Sequence, residues 1–293
     1  PSFVPEGYTL EMRTLTRTRK QLVHERTRHI QRIHKTFEDA NLKIGSVVSD
    51  INGKSGRAII EALIAGETDP EKLLAMSTGR LKARRESLIE ALRGRVTTHH
   101  RFMLKLHLDQ VKALDAFIAT VDKEVGAMLE PFRLAVDLLV TMPGVSNTVA
   151  EVIVSEVGID MSRFQTAGHL ISWAGLCPRN DESAGKRRST RTRMGDPWLK
   201  TMLVQAAWSA ARTKDSYLCA QFLRIKSRRG PKKAILAVAS SMLGAAYYML
   251  RDGVEYHDLG IGYFVQRDKQ KSINRLVRRL EDLGCKVELK EAA

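Results

Sequence analysis

The sequence predicts a mainly α protein, with a helical, coiled-coil-like arm followed by a second helical domain. Three observations carry that prediction. Apolar residues recur at three- and four-residue steps over long stretches, glycine and proline punctuate those stretches, and only Lys286-Val287-Glu288-Leu289 near the end is strand-like.

The first helix is expected from about Thr9 to Phe37. Arg13, Arg17, Lys20 and His24 fall on one face of it, and Val23, Ile30, Ile33 and Phe37 on another. The basic face is either a solvated surface or a phosphate contact; the spacing serves both readings equally. Gly45, Gly53, Gly56, Gly66 and Pro70 then break the chain into short helices and turns. Thr97 or Thr98 is expected to cap a long helix running to about Leu129. Within it Val111, Leu114, Ile118, Val121, Val125 and Met128 have the spacing of a coiled-coil seam, to be covered by the first helix or by a second copy of the chain. Pro131 marks a boundary. The expected organisation is therefore a basic helical arm over 1–131, a compact helical domain over 132–262, and a basic tail over 263–293 with a helix from Asn274 to Asp282.

Lys and Arg number 48 against 33 Asp and Glu, a formal charge of +15 that concentrates polyanions around the chain and favours nucleic acid as partner. The longest apolar candidate for a membrane span, from Ala234 to Leu250, is interrupted by Ser240, Ser241 and Gly244, so no membrane role is expected. Cys177, Cys219 and Cys285 are odd in number and far apart, which supports neither a zinc site nor a disulfide framework. A reducing, intracellular setting fits that usage, and with the basic charge a cytoplasmic, nucleoid-associated one is expected. The chain begins at Pro1 with no secretion leader, the pattern expected of a processed or truncated product.

Two motifs carry chemistry. In the first, Leu139-Val140-Thr141-Met142-Pro143-Gly144-Val145-Ser146 precedes a helix from Asn147 to Val157, a helix-hairpin-helix pattern. Such a hairpin offers unpaired N–H groups and the positive end of a helix dipole to a phosphate. Pro143, Gly144, Val145 and Ser146 are the candidate contacts, Gly144 letting a DNA backbone come close and Ser146 capping the helix. A purely structural hairpin is the competing reading. The second motif is a polar loop from Pro178 to Pro197. Lys186, Arg187, Arg188, Arg191 and Arg193 crowd one part of it without an acid among them, suited to phosphate contact and to charge that builds up in phosphoryl transfer. Ser183, beside the small Ala184 and Gly185, has room to reach a phosphorus atom, although serines in loops are common and mostly inert.

The run from Gly168 to Pro178 (GHLISWAGLCP), then Asn180 to Arg188 (NDESAGKRR) and Arg193 to Lys200 (RMGDPWLK), resembles the C-terminal domain of insertion-sequence 110/116/902 family transposases. The Pro-Gly-Val hairpin before it and Arg229-Gly230-Pro231-Lys232-Lys233-Ala234 after it match in order, and the stretches from Val47 to Arg57 and from Glu61 to Gly66 resemble the family's helical linker. The resemblance implies a DNA recombinase whose serine attacks a DNA phosphodiester and holds the broken end as phosphoserine. Carried onto this chain, that serine is Ser183, with Ser189 the runner-up. It also implies double-stranded DNA and a structured guide RNA as partners, and Mg2+; self-association through the helical arm is expected from its coiled-coil spacing instead. In the family the Mg2+ ligands sit in an N-terminal ribonuclease-H-like domain that this sequence does not display, so the chain alone is expected to bind nucleic acid and to be weak or inactive in strand exchange. Two rivals remain open: a non-catalytic helix-hairpin-helix DNA-binding protein, and a DNA glycosylase using Asp160, which follows Pro143 by 17 residues and more simply caps the next helix.

Overall fold

A computed structural model describes residues 7–77, 84–179, 181–189 and 191–287, and only the backbone of residues 181, 182, 187, 188 and 270–272. The described chain is mainly helical, as its periodicity predicts. It divides into two compact units, one formed by Thr14–Ala127 and the other by Pro1–Arg13 together with Met128–Ala293.

The unit over Thr14–Ala127 contains most of two 32-residue helices, α1 (Tyr8–Asp39) and α6 (Thr98–Leu129). Four short helices lie between them: α2 (Ile44–Val47), α3 (Lys54–Ala65), α4 (Pro70–Ala75) and α5 (Arg85–Ala91). Within this unit α1 and α6 run antiparallel. Arg19 pairs with Asp122, Arg26 Nη1 with Asp115 Oδ1 at 2.9 Å, and His29 Nδ1 meets His107 Nδ1 at 3.2 Å. The seam positions Val111, Leu114, Ile118 and Val125 are buried, as a helix needs when one stripe faces a partner. Ile33, Phe37, Leu42, Ile59, Leu63 and Leu73 join Leu104 and Leu108 in one core, which closes the short helices onto the long pair. Sequence caps fit these bounds: Thr97 Oγ1 accepts from His100 N at 3.3 Å, and Asp69 Oδ1 from Glu71 N at 3.0 Å ahead of Pro70.

Asp115 lies between two guanidiniums, Arg26 and Arg57. Burial pushes its carboxyl pKa up, but hydrogen bonds and charge from Arg57 and Arg26 outweigh that and hold it below the ordinary value. The carboxylate ties α1 and α3 to α6.

The second unit, which takes in Pro1–Arg13 as well as everything from Met128 on rather than beginning at 132, contains a 3-10 turn, Glu130–Phe132, at Pro131. Its helices are α7 (Arg133–Val140), α8 (Asn147–Val157), α9 (Ala167–Trp173), α10 (Pro197–Ala210), α11 (Tyr217–Arg229), α12 (Pro231–Asp252), α13 (Tyr263–Arg267) and α14 (Lys269–Asp282). α12 is the axis of this unit and packs against α7, α9, α10 and α11. Its buried face is rich in small residues, with Ala234, Val238, Ala239, Leu243 and Ala246, which lets neighbouring helices come close. By length and composition alone α12 is long and apolar enough to cross a membrane, although its serines and Gly244 argue against a span there; half of its apolar window is buried inside the fold. Core packing therefore accounts for its composition.

Arg13 also belongs to this unit. It is 9% exposed, and its Nε lies 2.8 Å from Glu156 Oε2, while its Nη2 donates to the Glu156 carbonyl at 2.5 Å. Glu156 is fully buried near the C-terminus of α8, where unpaired carbonyls and the negative end of the dipole favour a cation. The guanidinium also stands 5.8 Å over the Trp173 ring. Arg13 therefore follows neither reading of the basic face of the first helix: it is neither solvated nor open to a phosphate but buried against a carboxylate. His24 on the same face is exposed.

The 20-residue polar loop differs from expectation. Part of it is a two-stranded antiparallel sheet, β1 (Asp181–Ser183) and β2 (Lys186–Ser189). Of the strand expected over 286–289, residues 286 and 287 are not in a strand, and Glu288 and Leu289 lie outside the described residues.

Candidate nucleic-acid interface

The β1–β2 ribbon forms because the chain turns tightly at Ala184 and Gly185, whose φ angles are +51° and +73°. Positive φ at both central residues is the signature of the two-residue turn whose twist matches that of paired strands. Ser183 pairs with Lys186, Glu182 with Arg187, and Asp181 with Ser189, with a bulge between Asp181 and Glu182. The antiparallel path continues below the strands. Arg179 N donates to Arg191 O at 2.8 Å, Pro178 bridges Thr192, and Arg193 N donates to Cys177 O at 3.2 Å.

The ribbon's base is held by a glycine contact and a lysine. A Cβ on Gly195 would lie 2.3 Å from Gly175 N, so the two backbones meet where no side chain fits. Lys200, from the first turn of α10, donates from Nζ to Gly175 O at 3.0 Å and to Thr192 Oγ1 at 2.7 Å. Burial pushes its ammonium pKa down, a cost offset by those two acceptors. Asp196 caps α10 through Trp198 N and Leu199 N at 2.8 and 2.9 Å. Lys200 carries no role in the sequence reading beyond its place in a matching motif, since its acceptors come from residues 8 and 25 positions away.

Ser183 is exposed, one residue before the turn, and directly opposite the exposed Lys186. Directly opposed residues of an antiparallel pair project to the same face, so hydroxyl and ammonium share one side of the tip. Ser189 is placed differently: it is half-buried and its Oγ accepts from Arg191 N at 3.2 Å. Arg191 and Arg193 are exposed on the returning arm. The side chains of Arg187 and Arg188 lie outside the described residues.

The Pro143–Ser146 segment joins α7 to α8 as a tight turn, with Val145 N donating to Met142 O at 3.1 Å. Pro143 and Gly144 are half-buried, Val145 is buried and Ser146 is exposed. Gly144 has φ +84°, and a Cβ there would lie 2.4 Å from Ala206 O and 2.6 Å from Ala210 N. The close approach that sequence reasoning reserved for a DNA backbone is made here by α10. Ser146 caps α8, its Oγ accepting from Val149 N at 3.5 Å, and Ser146 and Asn147 remain open to solvent. Asp160 caps the 3-10 turn Met161–Arg163 by accepting from Ser162 N at 3.0 Å and Ser162 Oγ at 2.6 Å, the simpler role expected of it.

Among the described residues no group of three or more His, Cys, Asp or Glu is placed to hold a metal ion. These residues do not fit a Mg2+ site. Cys177, Cys219 and Cys285 are free thiols.

Comparison with known proteins converges on this region. Residues 136–222, from within α7 to within α11, match a family model described as Transposase IS116/IS110/IS902 family. The chain is 26% identical over 193 residues to a putative transposase, y4pF/y4sB, of Sinorhizobium fredii, an alignment covering 62% of this chain and 49% of that protein. It is 29% identical over 192 residues to an insertion element IS110 uncharacterized 43.6 kDa protein of Streptomyces coelicolor, covering 64% of this chain and 42% of that one. A third relative, an insertion element IS900 uncharacterized 42 kDa protein of Mycobacterium paratuberculosis, is 27% identical over 274 residues, covering 86% of this chain and 66% of that one. The matched part spans about half the length of the first two relatives. These likenesses are to transposases and insertion-element proteins, and the family match itself is confined to residues 136–222. The matched segment holds the α7–α8 turn, the ribbon and α10 in one stretch.

Proposed function

We propose that this chain binds DNA in transposition and that Ser183 is the nucleophile that attacks a DNA phosphodiester. The observation that carries the reading is the presentation of Ser183: an exposed hydroxyl at the tip of a two-stranded basic ribbon, facing the same side as Lys186. A rigid ribbon can bring a hydroxyl against a phosphate that a flat helical surface would not reach. In the step itself the Ser183 hydroxyl gives up its proton to solvent, a new Oγ–P bond forms, one P–O bond of the DNA breaks, and the departing deoxyribose oxygen takes up a proton. One phosphodiester replaces another, and no oxidant or energy source is needed. Lys186, Arg191 and Arg193 neutralise charge on the non-bridging oxygens, with Arg187 and Arg188 on the same ribbon by sequence. Ser189, half-buried and engaged with Arg191 N, is less available.

The open N-terminus of α8 at Ser146 and Asn147 supports a phosphate contact at those two residues, with Pro143, Gly144 and Val145 forming the turn behind them. A guide RNA, Mg2+ from ligands not in this chain, and a place in the cytoplasm with the nucleoid complete the reading by resemblance, while self-association would need a surface of the helical arm other than its seam, which is buried within the α1–α6 pair.

The test is an end-labelled element-end DNA incubated with the chain, guide RNA and Mg2+, with and without an intact relative, followed by denaturing electrophoresis. A protein–DNA adduct lost in Ser183→Ala and kept in Ser189→Ala is expected, with Lys186→Ala slowing adduct formation about 100-fold. DNA binding with no adduct in either condition would leave a non-catalytic DNA-binding protein instead.

A further inference from the structure

We infer that the cleft between α11, α13 and α14 is a binding site for single-stranded nucleic acid, separate from the ribbon. The cleft has a volume of about 510 Å³, and its charged lining is Arg224, Arg228 and Arg275 against a single acid, Asp268. A neighbouring pocket of about 330 Å³ shares Arg224 and Arg228 and adds Arg229.

The acid is already committed. Asp268 Oδ2 lies 2.5 Å from Arg224 Nη2, and its Oδ1 lies 3.1 Å from Arg267 Nε. Among the described residues no carboxylate lies within ion-pair distance of Arg228 or Arg275, both exposed. Guanidiniums converging on one concave wall repel each other unless an anion sits between them. The wall is also built rather than incidental. Phe264 stacks on Tyr217 with centroids 5.1 Å apart, Tyr263 meets Tyr217 edge-on at 5.2 Å, and the Arg224 guanidinium lies 4.8 Å over Phe264. These contacts hold α13 against α11 and fix Arg224 at the cleft floor.

Apolar side chains beside the guanidiniums select the class of anion. Ile261 is 50% and Val265 74% exposed on the cleft lining. A duplex turns phosphates outward and keeps its bases stacked inside, leaving such surface wet. A single strand brings phosphates to arginine and unstacked bases to apolar surface at once. An acidic polypeptide supplies charge without flat faces to cover Ile261 and Val265. None of this depends on the chemistry of Ser183.

The test is fluorescence anisotropy of the full chain with a labelled 20-nucleotide single-stranded DNA, the same sequence as RNA, the 20-base-pair duplex, and polyglutamate as competitor. The variants are Arg228→Gln/Arg275→Gln and, for the ribbon, Lys186→Gln/Arg191→Gln/Arg193→Gln. The cleft variant is expected to weaken single-strand binding at least 10-fold and to lower the log–log salt slope by about 1.4, about 0.7 for each phosphate that is no longer neutralised. Duplex binding should change less than two-fold in the cleft variant and fall in the ribbon variant. Arg228→Lys/Arg275→Lys should retain most of the single-strand affinity, which excludes misfolding as the cause. Whichever of DNA or RNA binding weakens more identifies the strand that occupies the cleft. Single-strand affinity unchanged in the cleft variant, equal weakening for duplex and single strand, or full competition by polyglutamate would overturn the inference.

Discussion

At Gly144 two demands meet in one residue. The turn between α7 and α8 needs φ +84°, and α10 approaches so closely that a Cβ would lie 2.4 Å from Ala206 O. An alanine there would carry left-handed strain of about 1–2 kcal/mol and a steric overlap worth about 1–3 kcal/mol. Gly144→Ala is therefore expected to destabilise the protein by about 2–5 kcal/mol in urea unfolding, with nucleic-acid affinity per folded molecule little changed. Stability within about 0.5 kcal/mol of the parent, with a large loss of DNA binding, would return Gly144 to the phosphate-contact role suggested by its motif. Arg13 teaches a related lesson. Its spacing with Arg17 and Lys20 places it on a basic helical face, and only the fold reveals the buried carboxylate of Glu156 opposite it, 143 residues away in sequence. Periodicity reports which residues share a face, not what that face meets.

At the scale of elements, the helices were the legible part. The bounds of α6 and α8, the caps at Thr97, Ser146 and Asp160, and the helix break at Pro131 follow from local patterns of the kind that periodicity and capping rules read. The ribbon was not legible as a ribbon. Its turn uses Ala184 in a left-handed conformation, which few non-glycine residues adopt, and its strands are short and charged rather than alternating in hydropathy. Lys200 and the Gly175–Gly195 contact define its base, and these are tertiary. The α1–α6 pair of the Thr14–Ala127 unit carries a pH dependence of its own. Burial, with Arg32 nearby, depresses the His29 pKa against an opposing pull from Glu25, and burial, His29 and Arg32 depress that of His107. With folded-state pKa values below the ordinary 6.5, the unfolded chain binds protons first as pH falls. Stability is thus full above about pH 6.5 and declines as pH drops below it. Urea midpoints measured between about pH 7.5 and 5 should fall, and should fall less in His107→Gln; a midpoint that rises on acidification would contradict the depressed histidine pKa values. Asp115 acts in a lower window. Its depressed pKa contributes stability above the ordinary carboxylate range that is lost only on stronger acidification.

Across the whole molecule, charge is the property the composition reveals most directly and the fold distributes. A formal charge of +15 gives no sequence preference, only attraction to polyanions. If about six to ten phosphates are contacted, affinity for a random duplex should fall by about 10³–10⁵ between 50 and 200 mM salt. A nearly flat salt response would show that the basic residues serve the fold and its surface rather than a nucleic acid. The ribbon and the arginine cleft each hold part of this charge, and the two parts can be removed one at a time.

If the ribbon tip delivers the nucleophile, peptide mapping of the covalent adduct will find the DNA there. The adduct formed with a short labelled DNA would be digested with nuclease and protease, and the residue that retains a nucleotide identified by mass spectrometry. A nucleotide on Ser183 is the predicted result. A nucleotide on Ser189 or any other residue would contradict the account, because it would place the chemistry away from the exposed tip.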